Sequence, residues 1–168
     1  MNTIKVGIIT VSDSRSRGER EDKSGEIIKK LVQQIDAEVK EYSIIPDELK
    51  EVQDELVRMV HSVKADLVIT TGGTGLSSRD VTPEATLSII DKEVPGFAEA
   101  MRAESFKKTP YALISRAVAG IRRQTLIINL PGSPKGVEEC LSLILPAIPH
   151  AVEVLRGEAV ECGEPSGQ

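Results

Sequence analysis

The chain has 168 residues, 40% of them hydrophobic and 2% aromatic, and its 21 Lys and Arg against 26 Asp and Glu give a formal net charge of −5. This length suits one domain with a full hydrophobic core, since domains run to about 100–200 residues. The acidic balance and the scarcity of aromatic rings argue against a nucleic-acid binder, and no apolar run approaches the roughly 18 residues of a membrane-spanning helix.

The first half of the chain alternates apolar strand-like runs with amphipathic helices. Residues 4–11 form a nearly continuous β-branched run, typical of a strand buried on both faces of a parallel sheet. No small-residue cleavage site accompanies this run, so we expect a mature cytoplasmic protein. Residues 12–25 contain no apolar side chain and predict a long loop, with helical spacing starting only at Glu26. A strand over 39–45, near an edge of the sheet, and a helix over 49–63 follow.

The second half repeats this alternation. Its predicted elements are a strand over 66–71, helices over 84–91 and 97–106, a strand over 124–130, a helix from 137 and a short helix over 151–156. Thr82 is the expected N-cap of the first of these helices, and residues 107–123 show no clean period. Strands alternating with helices predict an α/β fold, a mostly parallel sheet with helices on both faces. We expect a single domain over 1–156 and a polar C-terminal tail over 157–168.

Three polar or glycine-rich loops, 12–25, 72–80 and 131–136, follow predicted strands. Because the carboxyl ends of parallel strands lie on one edge of a sheet, these loops should converge on one site. The Gly-Gly-Thr-Gly run at 72–75 favours positive φ angles and a phosphate-binding nest of amides, with an ordinary tight turn as the alternative. It matches neither the P-loop nor the dinucleotide-binding pattern.

Charged residues next to these loops suit a phosphorylated ligand. Arg79 could pair with phosphate, and Asp80 with Asp47 could hold Mg²⁺, which takes one or two carboxylates plus phosphate oxygens. Lys135 and Ser133 precede a predicted helix, where an anion would be favoured. Each has an ordinary alternative: Asp80 as the cap of a turn, Asp47 as a helix-start acid, Ser133 as an N-cap, and Arg79 and Lys135 as solvated side chains. No G-x-S-x-G motif or Cys–His pair supports acyl transfer.

Three motifs together resemble the molybdenum-cofactor biosynthesis family of MogA- and MoaB-type molybdopterin adenylyltransferases, which is related to the G domain of gephyrin. The first is Ser12-Asp13 with the Asp-x-Ser-Gly at 22–25, the second runs from Thr-Thr-Gly-Gly-Thr-Gly at 70–75 to Arg-Asp-Val-Thr-Pro-Glu-Ala at 79–85, and the third is Asn-Leu-Pro-Gly-Ser-Pro-Lys-Gly at 129–136. The resemblance implies a three-layer α/β/α sandwich of Rossmann-like topology, trimeric or hexameric. It also implies transfer of AMP from ATP to molybdopterin with Mg²⁺, release of pyrophosphate, and delivery of the product to a MoeA-type insertase.

The resemblance also implies roles for individual residues. Asp47 and Asp80 match the family's two important aspartates and are the expected catalytic and metal-binding residues. The expected substrate- and nucleotide-binding residues are Ser12, Asp13, Gly72, Gly73, Thr74, Gly75, Arg79, Pro131, Gly132, Ser133, Pro134 and Lys135. Some MoaB-type members lack the acid that corresponds to Asp80 and do not adenylate, so its presence here favours an active enzyme.

Two other functions fit the same motifs. One is a non-catalytic oligomer that binds molybdopterin and passes it on. The other is a nucleotide-cleaving enzyme of the CinA type, which carries a similar domain but normally adds an amidase domain. Binding without adenylation would distinguish the first, and an additional domain would be expected for the second.

Overall fold

The apolar runs build one six-stranded sheet. The computed structural model describes residues 2–158, so most of the predicted tail, residues 159–168, lies outside the described part. The strands are β1 (Ile4–Val11), β2 (Ala37–Ile45), β3 (Leu67–Thr71), β4 (Lys92–Glu93), β5 (Ala119–Arg122) and β6 (Thr125–Leu130).

Helices cover both faces of this sheet, which gives the predicted three layers. The helices are α1 (Asp13–Ser16), α2 (Lys23–Val32), α3 (Leu49–His61), α4 (Thr82–Ile89), α5 (Pro95–Phe106), α6 (Pro134–Ile144) and α7 (Ile148–Arg156), with 3-10 turns at Gln33–Ile35, Pro110–Ile114 and Leu145–Ala147. Helices α2, α5, α6 and α7 pack on one face, and α3 and α4 pack on the other. Within residues 2–158, no helix is both long enough and apolar enough to cross a membrane.

The strand order is β2-β1-β3-β6-β5-β4, with β2, β1, β3 and β6 parallel and β5 and β4 antiparallel to their neighbours. From β1 the chain passes to β2 on one side and then returns to β3 on the other. The crevice at such a reversal, beyond the carboxyl ends of the strands, is where open α/β sheets bind ligands. The topology therefore places the loops after β1 and β3 on either side of a binding crevice.

The central strands send alternate side chains into two separate cores. Ile8 and Ile69 belong to the core beneath α2, α5, α6 and α7, whereas Ile9 and Val68 belong to the core beneath α3 and α4. All four are 0% exposed. Because both faces of these strands are buried, their sequences are continuous apolar runs rather than alternating ones. The prediction that residues 4–11 form a strand buried on both faces is confirmed.

The prediction of an uninterrupted loop over residues 12–25 is wrong. Ser12 accepts a hydrogen bond from the Arg15 N–H at 3.3 Å and caps the short helix α1, and Asp22 accepts one from the Gly25 N–H at 3.1 Å and caps α2. Helix α2 consequently begins at Lys23, before the first apolar residue of the segment. Polar capping bonds, which leave no hydrophobic periodicity, determine the structure here.

Other helix starts also differ from the predictions. The N-cap of α4 is Val81, because the Thr82 hydroxyl donates to the carbonyl of Gly72 at 2.9 Å instead of capping the helix. Helix α5 begins at Pro95 and α6 at Pro134, each two or three residues earlier than expected. Proline suits the first turn of a helix because its missing N–H is not needed there.

Candidate functional site

The loops after β1, β3 and β6 meet at the carboxyl edge of the sheet, as predicted. The Thr71 hydroxyl donates to the Pro131 carbonyl at 2.7 Å, and the Ser24 hydroxyl donates to the Gly132 carbonyl at 2.8 Å. Each bond joins segments that are far apart in sequence. The loops therefore form one continuous surface rather than separate turns.

The glycine-rich loop adopts the backbone conformation that its sequence predicts. Gly72 and Gly73 have φ angles of +95° and +67°. The loop is held to the start of α4, since Thr82 donates its hydroxyl to the Gly72 carbonyl and its N–H to the Gly73 carbonyl at 3.1 Å. Within residues 2–158, the N–H groups of Gly73, Thr74 and Gly75 have no acceptor. They remain as backbone donors that could bind an anion.

Asp13 and Asp47 hold each other through a reciprocal pair of hydrogen bonds. The Asp13 N–H donates to Asp47 Oδ2 at 2.8 Å, and the Asp47 N–H donates to Asp13 Oδ1 at 3.0 Å. This pair joins the loop after β1 to the loop after β2. The Asp47 carboxylate, which the sequence alone could assign to an ordinary helix start, is thereby fixed at the sheet edge.

Negative charge accumulates around Asp47. Burial raises the pKa of Asp47 above its usual 3.8, and the nearby charges of Asp13 and Asp80 raise it further, against the lowering effect of the hydrogen bond from the Asp13 backbone. The pKa of Asp13, in contrast, is held down chiefly by hydrogen bonds from Arg79. Asp13, Asp47 and Asp80, called the acidic cluster below, thus concentrate charge that a cation would offset.

Replacing Asp47 with asparagine should make the protein more stable. Below pH 3.8 the carboxyl is protonated in both folded and unfolded chains, so it has no charge to bury. As the pH rises through the raised folded pKa, the folded wild type loses stability relative to the unfolded chain, and asparagine does not. We expect the melting temperature of Asp47→Asn to exceed that of the wild type by an amount that grows from acid to neutral pH.

Thermal unfolding across this pH range checks the prediction. Asp54→Asn is the matched control, because Asp54 is 62% exposed and paired with Lys50 on the surface of α3. It should bring no gain in melting temperature at any pH. A gain for Asp47→Asn that shrinks towards neutral pH would contradict the raised pKa of Asp47.

Asp80 does cap a turn, which was the ordinary interpretation of its sequence position. Its Oδ2 accepts a hydrogen bond from the Ser77 N–H at 2.9 Å, and a Cβ on Gly75 would lie 2.9 Å from the same oxygen. The carboxylate is half-buried and near enough to Asp47 to influence its pKa. The structural and functional interpretations of Asp80 are therefore compatible, because the turn fixes its carboxylate as part of the acidic cluster.

Asp47 and Asp80 are carboxylates that could hold a magnesium ion shared with phosphate groups. Residues 2–158 contain no cluster of three or more His, Cys, Asp or Glu side chains arranged to bind a metal by themselves. Mg²⁺ usually takes one or two protein carboxylates and completes its shell with water and phosphate oxygens. The donor set and the excess negative charge thus suit a metal that binds together with a nucleotide, rather than a permanent protein-only site.

Arg79 is engaged with carboxylates. Its Nε and one terminal nitrogen donate to the two oxygens of Asp13 at 3.1 and 3.0 Å, and that terminal nitrogen also reaches Glu48 at 2.7 Å. The side chain is 51% exposed. Such exposed ion pairs contribute little stability, so Arg79 could exchange a carboxylate for a phosphate at small cost.

Several of the remaining predicted residues lie at helix starts. Ser133 accepts a hydrogen bond from the Gly136 N–H at 3.1 Å and caps α6, as Ser12 caps α1. Pro134 is the first residue of α6, and Lys135 is exposed in its first turn. Both serine hydroxyls therefore have a structural partner already.

A cavity of about 540 Å³ opens beside the glycine-rich loop. One wall consists of residues 73–75, Asp80, part of the loop after β6 and the first turns of α6, and a second wall comes from α5 and residues 108–117. This volume lies within the roughly 300–1,000 Å³ of ordinary small-molecule sites. Asp80 is the member of the acidic cluster that lines the cavity. The candidate site therefore has two parts, the cavity and the acidic cluster, and Asp80 belongs to both.

The second wall of the cavity was not predicted. Arg102 on α5 donates to the Ala117 carbonyl at 2.8 Å, and Arg116 donates to the carbonyls of Gly75 and Asp80 at 2.7 and 2.9 Å. Arg116 lies in the stretch over 107–123, which has no hydrophobic periodicity, and Arg102 binds to that stretch. No pattern in the sequence singles them out, since apart from the ion pair of Arg116 with Glu84 their partners are backbone carbonyls.

The chain also matches a known protein family. A sequence model of the family described as "Probable molybdopterin binding domain" matches residues 7–150, which include all three loops and both walls of the cavity.

Individual relatives match over nearly the whole chain. The molybdopterin adenylyltransferase of Helicobacter pylori is 43% identical over 166 residues, which cover 98% of this chain and 94% of the relative. The molybdopterin adenylyltransferase of Escherichia coli K12 is 38% identical and covers 96% of this chain and 90% of its own. The crystal structure of the molybdopterin biosynthesis enzyme MoaB from Thermus thermophilus superimposes with a TM-score of 0.88 at 46% identity, covering 95% of this chain and 100% of that one.

Proposed function

The chain belongs to the molybdopterin-binding family of molybdenum cofactor biosynthesis proteins, and we propose that it is a molybdopterin adenylyltransferase that uses ATP and Mg²⁺. The terminal phosphate of molybdopterin attacks the α-phosphorus of ATP, the bond from this phosphorus to the pyrophosphate oxygen breaks, and adenylyl-molybdopterin and pyrophosphate leave. Because the attacking phosphate belongs to the substrate, the protein needs to position it and stabilise charge rather than supply a nucleophile.

The observation that carries this proposal is the position of Asp80. Asp80 lines the cavity, its charge is near enough to raise the pKa of Asp47, and its own loop begins with the amides after β3 that have no acceptor within residues 2–158. A ligand with a heterocycle in the cavity and a phosphate at its edge would bring that phosphate to Asp80. Adenylyl transfer requires this kind of junction, where two phosphorylated substrates meet.

Asp47 and Asp80 are the proposed holders of the metal. Mg²⁺ bound there would neutralise charge on the ATP phosphates as the bond to the α-phosphorus breaks. Asp13 acts indirectly in this arrangement, because its backbone N–H and carboxylate fix the position of Asp47.

The glycine-rich loop is the proposed phosphate cradle. The N–H groups of Gly73, Thr74 and Gly75, which have no acceptor in the described part of the chain, belong to a loop that Thr82 ties to the start of α4, and the loop over 131–136 leads into α6. Amides and helix N-termini carry partial positive charge and stabilise an anion without reorganising. The cradle would bind phosphate oxygens of either substrate.

Arg79 and Lys135 are the proposed charge clamps. Arg79 would leave Glu48 and turn towards the phosphates when ATP arrives, since its exposed ion pair is readily exchanged. Lys135 in the first turn of α6 opposes the helix dipole unless an anion lies near it. A bound phosphate would make its position favourable.

We further propose a cytoplasmic homo-oligomer, a trimer or hexamer, that passes its product to a MoeA-type insertase. Tyr111, Leu113 and Ile114 in the turn at Pro110–Ile114 are 77%, 66% and 51% exposed, and contiguous exposed apolar side chains mark interaction surfaces. This turn is the candidate subunit contact.

Adenylation by the purified chain tests the proposed function. The reaction contains ATP, Mg²⁺ and freshly released molybdopterin, and adenylyl-molybdopterin and pyrophosphate are quantified. We expect product that disappears when either Mg²⁺ or molybdopterin is omitted. Tight binding of molybdopterin with no product under any of these conditions would identify a carrier and overturn the proposal.

A further inference from the structure

Arg116 connects the cavity wall to the loop that carries Asp80. Its backbone N–H donates to the Thr74 carbonyl at 2.9 Å, its Nε to the Gly75 carbonyl at 2.7 Å and a terminal nitrogen to the Asp80 carbonyl at 2.9 Å. The other terminal nitrogen pairs with Glu84 in the first turn of α4. One side chain thus binds both ends of the segment over 75–80.

We propose that Arg116 is a positioning residue for adenylyl transfer, which fixes the Asp80 carboxylate by clamping the backbone on either side of its loop. This inference rests on the proposed function of the site. Arg116 acts through Asp80, because its side-chain donors are occupied by the carbonyls of Gly75 and Asp80 and by Glu84.

The loop over 75–80 has few other restraints. Its internal bonds join Ser77 to Asp80 and Arg79, and its outer contact is the exposed ion pair of Arg79 with Asp13 and Glu48. That ion pair must open if Arg79 turns to phosphate. Arg116 would then be the main remaining tie between this loop and the rest of the site.

Arg116 is itself anchored to the cavity wall. Arg102 on α5 donates to the carbonyls of Ser115 and Ala117, at 3.4 and 2.8 Å, on either side of Arg116. Ser115, Ala117 and Arg102 all line the cavity. A heterocycle that packs against this wall would therefore stabilise the same segment that positions Asp80. Ligand binding in the cavity and ordering of the loop over 75–80 are thereby coupled.

Arg116→Met and Arg116→Lys test this role in the purified enzyme. Methionine keeps the apolar stem and loses the donors, and displacing a reacting group by about 1 Å can cost about 100-fold in rate. We expect a kcat about 100-fold below the wild type with KM for ATP and molybdopterin within about threefold. Lysine keeps a charged donor, so the kcat of Arg116→Lys should be about tenfold higher than that of Arg116→Met.

Two further variants separate the carbonyl clamp from the ion pair and from general effects. Glu84→Gln removes the charge partner but leaves both carbonyl bonds, so its kcat should stay within about threefold of the wild type. Arg58→Met on α3 removes an arginine of similar exposure, 41% against 34%, that binds Glu41 and Glu55 away from the cavity, and it should leave kcat unchanged.

A second readout needs no turnover. Hydrogen–deuterium exchange of the peptide over 74–80 should quicken in Arg116→Met and stay unchanged in Arg58→Met. If the wild type does not adenylate, the proposed function fails while faster exchange still supports the clamp. If the wild type is active and the folded Arg116→Met variant has the same kcat, the inference is wrong. If Arg116→Met does not fold, the inference is overturned when Arg116→Lys has the wild-type kcat and unchanged hydrogen–deuterium exchange.

Discussion

Asp80→Asn is expected to lower kcat for adenylyl transfer by about 10²–10³-fold while the protein stays folded. Asparagine keeps a side-chain oxygen that can accept the Ser77 N–H, so the hydrogen bond of 2.9 Å that closes the turn is preserved. It removes the negative charge that would share Mg²⁺ with Asp47. Activity and structure are therefore separable at this position, which is seldom possible when a functional acid also caps a turn.

Steady-state kinetics with thermal unfolding in parallel measure this effect. Asp91→Asn is the matched control, because Asp91 also accepts a backbone N–H through one carboxylate oxygen, that of Arg123 at 2.7 Å, and lies outside the site. It should leave kcat unchanged. Turnover of Asp80→Asn at the wild-type rate would show that the metal role assigned to Asp80 is wrong.

Gly72→Ala is expected to destabilise the fold by about 3 kcal/mol, which corresponds to a melting temperature lower by roughly 6–12 °C in a domain of this size. Two costs add together. At a φ of +95° an L-residue is strained, and the new Cβ would lie 2.2 Å from the carbonyl oxygen of Val11. That oxygen belongs to the central strand β1, so it cannot move aside without disturbing the sheet.

Gly18→Ala separates the two costs. Gly18 also has a positive φ, +74°, but a Cβ there would meet no atom within 4 Å. It should lose only about 1 kcal/mol, the backbone cost alone. Similar melting temperatures for the two variants would mean that β1 and the glycine-rich loop can separate, and the close packing of Gly72 would not be a constraint.

The sheet could be predicted from the sequence because burial on both faces leaves a distinct pattern. β1, β3 and β6 are continuous β-branched runs, and the exposed alternation of β2 indicated an edge. The segment over 12–25 could not be predicted this way. There the backbone is fixed by the Ser12 and Asp22 side chains, and Asp22 also accepts hydrogen bonds from Thr10 at 2.6 Å and from Tyr42, so its role depends on strands brought together by folding.

The candidate site was predictable to a similar extent. Convergence of the loops needs only the strand positions, and the positive φ at Gly72 follows from residue type. The partners of Arg79 and the second wall of the cavity do not follow, because they depend on contacts between distant segments. Arg116 is the clearest example, since besides Glu84 its side chain binds carbonyl oxygens, which every residue possesses.

The two outer strands of the sheet also limit how molecules of this protein can associate. An unpaired strand edge is a template for a strand from another chain, and natural sheets guard such edges with charge or with short strands. β2 exposes Glu38 and Lys40, which pair with each other, and β4 consists only of the exposed Lys92 and Glu93. Both edges are therefore protected against growth into a continuous intermolecular sheet. Any closed assembly would form through helices and turns, and the protein should resist fibril formation even when concentrated.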